Sequence, residues 1–137
     1  MRKSVRGYIF SRPFFDERAP QHIQNIVIRE FCEKNNLNYQ LSVSEYAFEN
    51  SFSILLQVIK ELEKVHGIVA YSLFQMPEEK SLRQKVFKKI LGKQKVIYFA
   101  LEDLKISNEA EFNDIEEIWS VKSTLVKCPK DLKEWEK

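Results

Sequence analysis

The chain has 137 residues, enough for one domain that buries its own core without a metal or disulfide scaffold. Hydrophobic residues make up 44% and aromatics 12%, an ordinary composition for a folded protein, and no apolar run approaches the length of a membrane span. With 22 basic and 20 acidic residues the net charge is +2, which exerts no overall pull toward nucleic acid or anionic membrane.

Val5–Phe10 reads as a first strand. It stops at Ser11-Arg12-Pro13, because proline has no N–H to give to a sheet ladder. Pro20–Lys34 reads as a helix, with Ile23, Ile26, Val27 and Phe31 at helical spacing and Asn35-Asn36 closing it. Tyr39–Tyr46 alternates polar and apolar residues like a half-exposed strand. Ser51 or Ser53 can cap the next helix, which carries Leu55, Leu56, Ile59 and Leu62 on one face.

Ile68–Phe74 is almost continuously apolar and reads as a buried central strand. Glu78–Leu91 follows as a helix, started by Pro77 and ended by Gly92. Val96–Leu101 is a fourth strand, and Glu109–Ser120 a last helix with Phe112, Ile115, Ile118 and Trp119 inward. Residues 1–122 thus read as one α/β domain, and 123–137 as a charged tail. The alternation predicts a three-layer α/β sandwich with a mostly parallel sheet of order 2-1-3-4.

In such a sheet ligands bind at the carboxyl ends of the strands. Those ends collect Ser11 and Arg12, then Glu45 and Tyr46, then Ser72 and Gln75, then Glu102, with Arg18, Gln21 and His22 on the loop and helix start after the first strand. Ser11 could be a nucleophile if His22 served as its base, with Glu45 or Glu102 orienting the imidazole. The alternative is that Ser11 only ends its strand. Arg12 and Arg18 suit a carboxylate or phosphate, which the guanidinium fork matches bidentately, or else surface ion pairs. Gln21, Tyr46, Ser72 and Gln75 add hydrogen-bonding groups to a ligand site.

Only three glycines are present, with no dinucleotide fingerprint, P-loop or flavin phosphate loop, so no cofactor is expected. Cys32 and Cys128 lie far apart, and with His22 and His66 they form no metal motif. The N-terminus is charged and the apolar run after it is too short for a secretory leader, so a reduced, cytoplasmic setting is expected.

Three stretches resemble one small family. They are Gly7-Tyr8-Ile9-Phe10-Ser11-Arg12-Pro13-Phe14-Phe15 with Pro20-Gln21-His22, Gly67 through Pro77, and Phe99-Ala100-Leu101-Glu102. In that order they look like the sporadic carbohydrate cluster family of bacterial surface-polysaccharide genes, over about residues 6 to 120. The resemblance implies surface-glycan or sugar-nucleotide biosynthesis. One reading is an enzyme acting on a small anionic or phosphorylated sugar. The other is a non-catalytic module supporting neighbouring glycan enzymes.

The order of elements also resembles the catalytic domain of serine recombinases, which implies a resolvase-like, or more broadly flavodoxin-like, sandwich. There the first strand reads G-Y-x-R-V-S. Here Phe10 stands where that pattern has its arginine, and Ser11 comes one residue early. After the third strand that family has D-R-x-x-R, where this chain has Phe74, Gln75 and Glu78. The phosphate-binding arginines are missing, so DNA strand exchange and nucleic-acid partners are not expected, and neither is a membrane partner. A homo-oligomer through the last helix is expected from Phe112, Ile118 and Trp119. Arg12-Pro13-Phe14-Phe15 resembles nucleoside deoxyribosyltransferases more distantly, without their acidic nucleophile motif.

Overall fold

Short apolar runs separated by amphipathic helices become a five-stranded sheet of order β2-β1-β3-β4-β5. The computed structural model describes residues 2–14, 19–48 and 51–135, with side chains as far as Lys122. Arg18 and Phe15 lie outside the described residues. β1 (Lys3–Ile9), β2 (Leu37–Ser44), β3 (Gly67–Ala70) and β4 (Val96–Phe99) are parallel, and β5 (Leu104–Ile106) returns antiparallel to β4. The predicted order of the first four strands holds. β5 is too short to have left a periodic signal.

Chain direction reverses across the sheet after β2. Right-handed crossovers therefore put α1 (Gln21–Lys34) on one face and α2 (Ser53–Lys60) and α3 (Lys80–Gly92) on the other. α4 (Glu109–Trp135) runs past the expected end at Ser120 and packs Phe112 edge-on against Phe87 of α3. No glycine or asparagine follows Ser120 to stop it. Phe112 and Trp119 are buried within this chain's own core, which removes much of the apolar surface expected for self-association. No helix among the described residues is long and apolar enough to cross a membrane.

The core fills both faces of the central strands: Val5 and Tyr8 of β1, Ile68 and Val69 of β3, and Ile97 and Phe99 of β4 are all fully buried. One close approach fixes the spacing of β3 and β4. A Cβ on Gly67 would lie 2.0 Å from the Val96 carbonyl oxygen, so only glycine lets β3 start beside β4. Register between β1 and β2 slips after Arg6, which pairs with Gln40 while Gly7 pairs with Ser42. The extra residue, Leu41, is pushed outward and is 75% exposed.

Several helix ends differ from expectation. Asn36 does take the left-handed conformation after α1. After α3, however, Gln94 has the positive φ of 60° and Gly92 remains helical. β3 ends at Ala70, earlier than expected, and Leu73–Gln75 forms a short 3-10 helix.

Gly67→Ala is expected to lower the urea midpoint, at a cost of about 1–3 kcal/mol, because the clash is with the backbone of Val96 rather than with a flexible side chain. His66 offers a pH test. Its ring lies 3.2 Å from the Tyr98 hydroxyl, and burial first, then Lys3 and Lys95, hold it below its ordinary 6.5. The folded state therefore binds fewer protons than the unfolded one, so stability is present above pH 6.5 and falls as pH drops below it. Thermal melts between pH 7 and pH 5 should show that slope, and His66→Asn should flatten it.

Candidate functional site

The carboxyl edge of the sheet is organised by a buried acid. Glu45 follows β2 directly, its N–H bonded to the Ile9 carbonyl at 2.9 Å, and it is 2% exposed. Its Oε1 accepts from the N–H groups of Tyr46 and Ile54 and from Ser51 Oγ, at 3.2, 3.1 and 3.1 Å. Its Oε2 accepts from Tyr8 Oη at 2.9 Å and the Leu55 N–H at 3.1 Å. Ile54 and Leu55 open α2, so the carboxylate supplies the cap that Phe52 at the N-cap cannot. The positive end of the helix favours the negative charge. Burial, and then Glu45, raise the Tyr8 hydroxyl's pKa, so it stays a proton donor. Ser51 donates to Glu45 and does not cap the helix itself.

Arg12 turns inward. Its guanidinium carbon sits 4.1 Å from the Phe10 ring centroid and 5.1 Å from that of Phe52. Nη1 donates to the carbonyls of Tyr46 and Phe48 at 2.9 and 3.3 Å. This clamps the loop after β2, on which Tyr46 and Phe48 stack in the open with rings 5.7 Å apart. Ser11 Oγ donates to the Glu45 carbonyl at 3.3 Å. Ser11, Arg12, Glu45 and Tyr46 thus do come together.

The other expected residues fall into separate groups. Gln21 Nε2 donates to Ser44 Oγ at 2.6 Å on the exposed rim. His22 is exposed and, among the described residues, forms no hydrogen bond with Ser11 or Glu45. Glu102, after β4, accepts from Ser72 Oγ and the Leu73 N–H, each at 2.7 Å. That bond turns the chain out of β3 and into the 3-10 helix, which is why the strand ends early. Among the hydrogen bonds of the described residues, none links Glu102 to Ser11, Arg12 or Glu45. Among the described residues no group of three His, Cys, Asp or Glu side chains could hold a metal.

Two buried polar residues escaped the sequence reading. Gln24 accepts from the Phe10 N–H at 3.0 Å and donates to the Phe10 and Ala19 carbonyls at 2.8 and 2.7 Å. It thereby continues β1's ladder with a side chain, and Gln75 Nε2 donates to it at 2.8 Å. A polar residue four and seven positions before Ile28 and Phe31, on the buried stripe, was the available signal. Arg83 pairs with Glu116 through Nε and Nη2 at 2.7 and 2.6 Å, and its Nη1 reaches the Pro77 and Glu78 carbonyls. It also covers the Trp119 ring at 4.3 Å. It locks α3 to α4.

No family model matches the chain, and no curated protein matches it. Two solved structures are similar in fold. A resolvase family site-specific recombinase from Streptococcus pneumoniae superposes with a TM-score of 0.60 at 8% identity, covering 96% of this chain and 97% of that one. The N-terminal catalytic domain of TP901-1 integrase gives 0.54 at 9% identity, covering 93% and 98%. The resolvase-like fold expected from the order of elements is therefore the observed one. The same likeness overturns the carbohydrate reading: the fold's counterparts are recombinase catalytic domains. A surface-polysaccharide enzyme, a module serving such enzymes, a sugar or sugar-nucleotide ligand and the exclusion of nucleic acid are withdrawn with it.

Glu45→Gln should destabilise the protein by about 3 kcal/mol, since an amide N–H₂ then faces donors in a closed site. Tyr8→Phe should cost less, about 1.5–3 kcal/mol for one hydrogen bond to a charged acceptor. Urea denaturation of the two variants checks the ranking, and equal or reversed costs would argue against Glu45 as the organising group.

Proposed function

We propose that this chain is a DNA-associated domain of the resolvase fold that holds duplex DNA without cutting it. The observation that carries the reading is the state of Arg12. It stands at the position where the recombinase pattern has its serine, and it is packed on Phe10 and Phe52 and bonded to the loop carbonyls of Tyr46 and Phe48. Ser11, one residue earlier, gives its hydroxyl hydrogen to a carbonyl rather than to a base. Attack on a phosphodiester needs an activated hydroxyl and cations to neutralise the phosphate. Phe74, Gln75 and Glu78 occupy the positions at which the pattern supplies an aspartate and two arginines.

In support of DNA as the partner, the similar structures are a site-specific recombinase and an integrase, proteins that act on DNA strands. In this reading Ser11, Glu45 and Glu102 anchor strand ends, and His22 is a surface residue. The domain is residues 1–122, with 123–137 a charged extension. The site of action is the cytoplasm, where a free thiol such as Cys32 stays reduced. The motif likeness to the sporadic carbohydrate cluster family is kept as a proposal about ancestry alone, and it assigns no activity.

The test combines a gel shift on mixed-sequence duplex with denaturing electrophoresis of the same reactions. The expected result is retention at low salt that weakens as salt rises, with no nicked strand and no covalent protein–DNA adduct. An adduct that disappears in Ser11→Ala would make the chain a strand-cleaving enzyme and end this reading.

A further inference from the structure

The net charge of +2 conceals a strong asymmetry. From Lys80 to Lys95 the chain carries seven basic residues and no acidic one, while the remainder holds 15 basic against 20 acidic residues, a net of −5. Arg83 is turned inward to Glu116. The other six are lysines, five of them exposed and Lys95 half-buried, and none forms an ion pair among the described residues. Lys85, Lys88 and Lys89 fall within an arc of about 100° on α3, since each residue turns the helix by about 100°.

Helix stability does not account for this face. Lys85 with Lys89, and Lys89 with Lys93, are like charges four residues apart, which repel. The helix dipole favours Lys89 near the C-terminus, but it opposes Lys80 in the first turn. Elsewhere the chain pairs such positions with opposite charge, as in Glu30 with Lys34 on α1 at 3.6 Å. Lys93 has a partial structural role, donating to the Ile59 carbonyl at 2.8 Å at the end of α2. Among the described residues, Lys85, Lys88 and Lys89 have no such bond.

We infer that this outer face of α3 binds the phosphate backbone of duplex DNA. The inference rests on the DNA-associated reading above and names the surface it uses. Lys85 to Lys93 spans roughly 12 Å of helix axis, the reach of three or four successive phosphates on one strand. Beside it, between α3 and the start of α4, a groove of about 580 Å³ is lined by Lys88, Gln84, Asn108 and Asn113, with Glu109 also in its wall. The amides of Gln84 and Asn113 there can donate to phosphate oxygens, whereas Asn108 is bonded to Glu111. Such contacts fix a duplex in position and carry no sequence information.

The experiment is fluorescence anisotropy of a labelled mixed-sequence duplex, titrated with the full chain at several salt concentrations between about 50 and 200 mM. Four proteins are compared: the natural chain, the triple variant Lys85→Gln, Lys88→Gln, Lys89→Gln, the same three positions changed to Arg, and a charge-matched control of Lys34→Gln, Lys64→Gln, Lys105→Gln. Far-UV circular dichroism and a thermal melt verify that each is folded. The glutamine variant on α3 should lose at least tenfold in affinity at about 50 mM salt, and its slope of log affinity against log salt should shrink by about 2–3. The arginine variant should bind like the natural chain, and the control should lose less than threefold. If the natural chain binds and the α3 glutamine variant binds equally well, or the control loses as much, the α3 face is not the contact. If the natural chain shows no salt-sensitive binding at all, the DNA-associated reading itself fails.

Discussion

The structure hangs on the Glu45 carboxylate. A buried charge is costly unless every lone pair is answered, and here five donors converge on it. They come from three places: Tyr8 on β1, the chain between β2 and α2, and the first turn of α2. One acid therefore sets the height of the sheet edge, the direction of the loop after β2 and the start of the next helix. Tyr8 is fully buried and its hydroxyl donates to this carboxylate, so the strand cannot slide without stranding a polar group.

The neighbouring polar groups extend the same construction. Arg12 lies between two phenylalanine rings and grips the loop carbonyls. Gln24 takes the place of a further strand residue beside Phe10, and Gln75 reaches it from the turn after β3. Glu102 closes β3 from the β4 side. At the carboxyl edge, where sheets of this kind commonly bind ligands, the described polar side chains bond to one another and to the backbone. The proposed reading treats them as architecture and places binding on the lysines of α3, on a different surface.

Much of the fold was legible because its signals are local. The alternation of runs, the buried character of Ile68–Val69 and the stop at Pro13 follow from patterns that survive folding. The candidate residues were harder to interpret. Strand ends suggested one cleft of Ser11, Arg12, His22, Glu45 and Glu102; the structure groups Ser11, Arg12 and Glu45 with Tyr46 and leaves His22 and Glu102 apart, and whether Arg12 faces a ligand or Phe10 depends on ring positions that no spacing reveals. Glu45 as the cap of α2 was invisible because it lies outside the helix, eight residues before Ser53, whereas Ser51 and Ser53 matched the local capping pattern. Gln24 went unnoticed among the polar residues of α1, although its spacing to Ile28 and Phe31 puts it on the buried stripe. The total charge misled for a simple reason: an acidic remainder cancelled a lysine face concentrated in sixteen residues.

The account places binding on α3 and leaves the strand ends structural. Backbone amide shifts, recorded by NMR as a short duplex is added at low salt, examine both halves together. The account predicts that the largest changes run along α3 from Lys85 to Lys93 and into the turn at Asn108, with Ser11, Arg12 and Tyr46 nearly unmoved. Changes centred on Ser11, Arg12 and Tyr46 with α3 unmoved would contradict it.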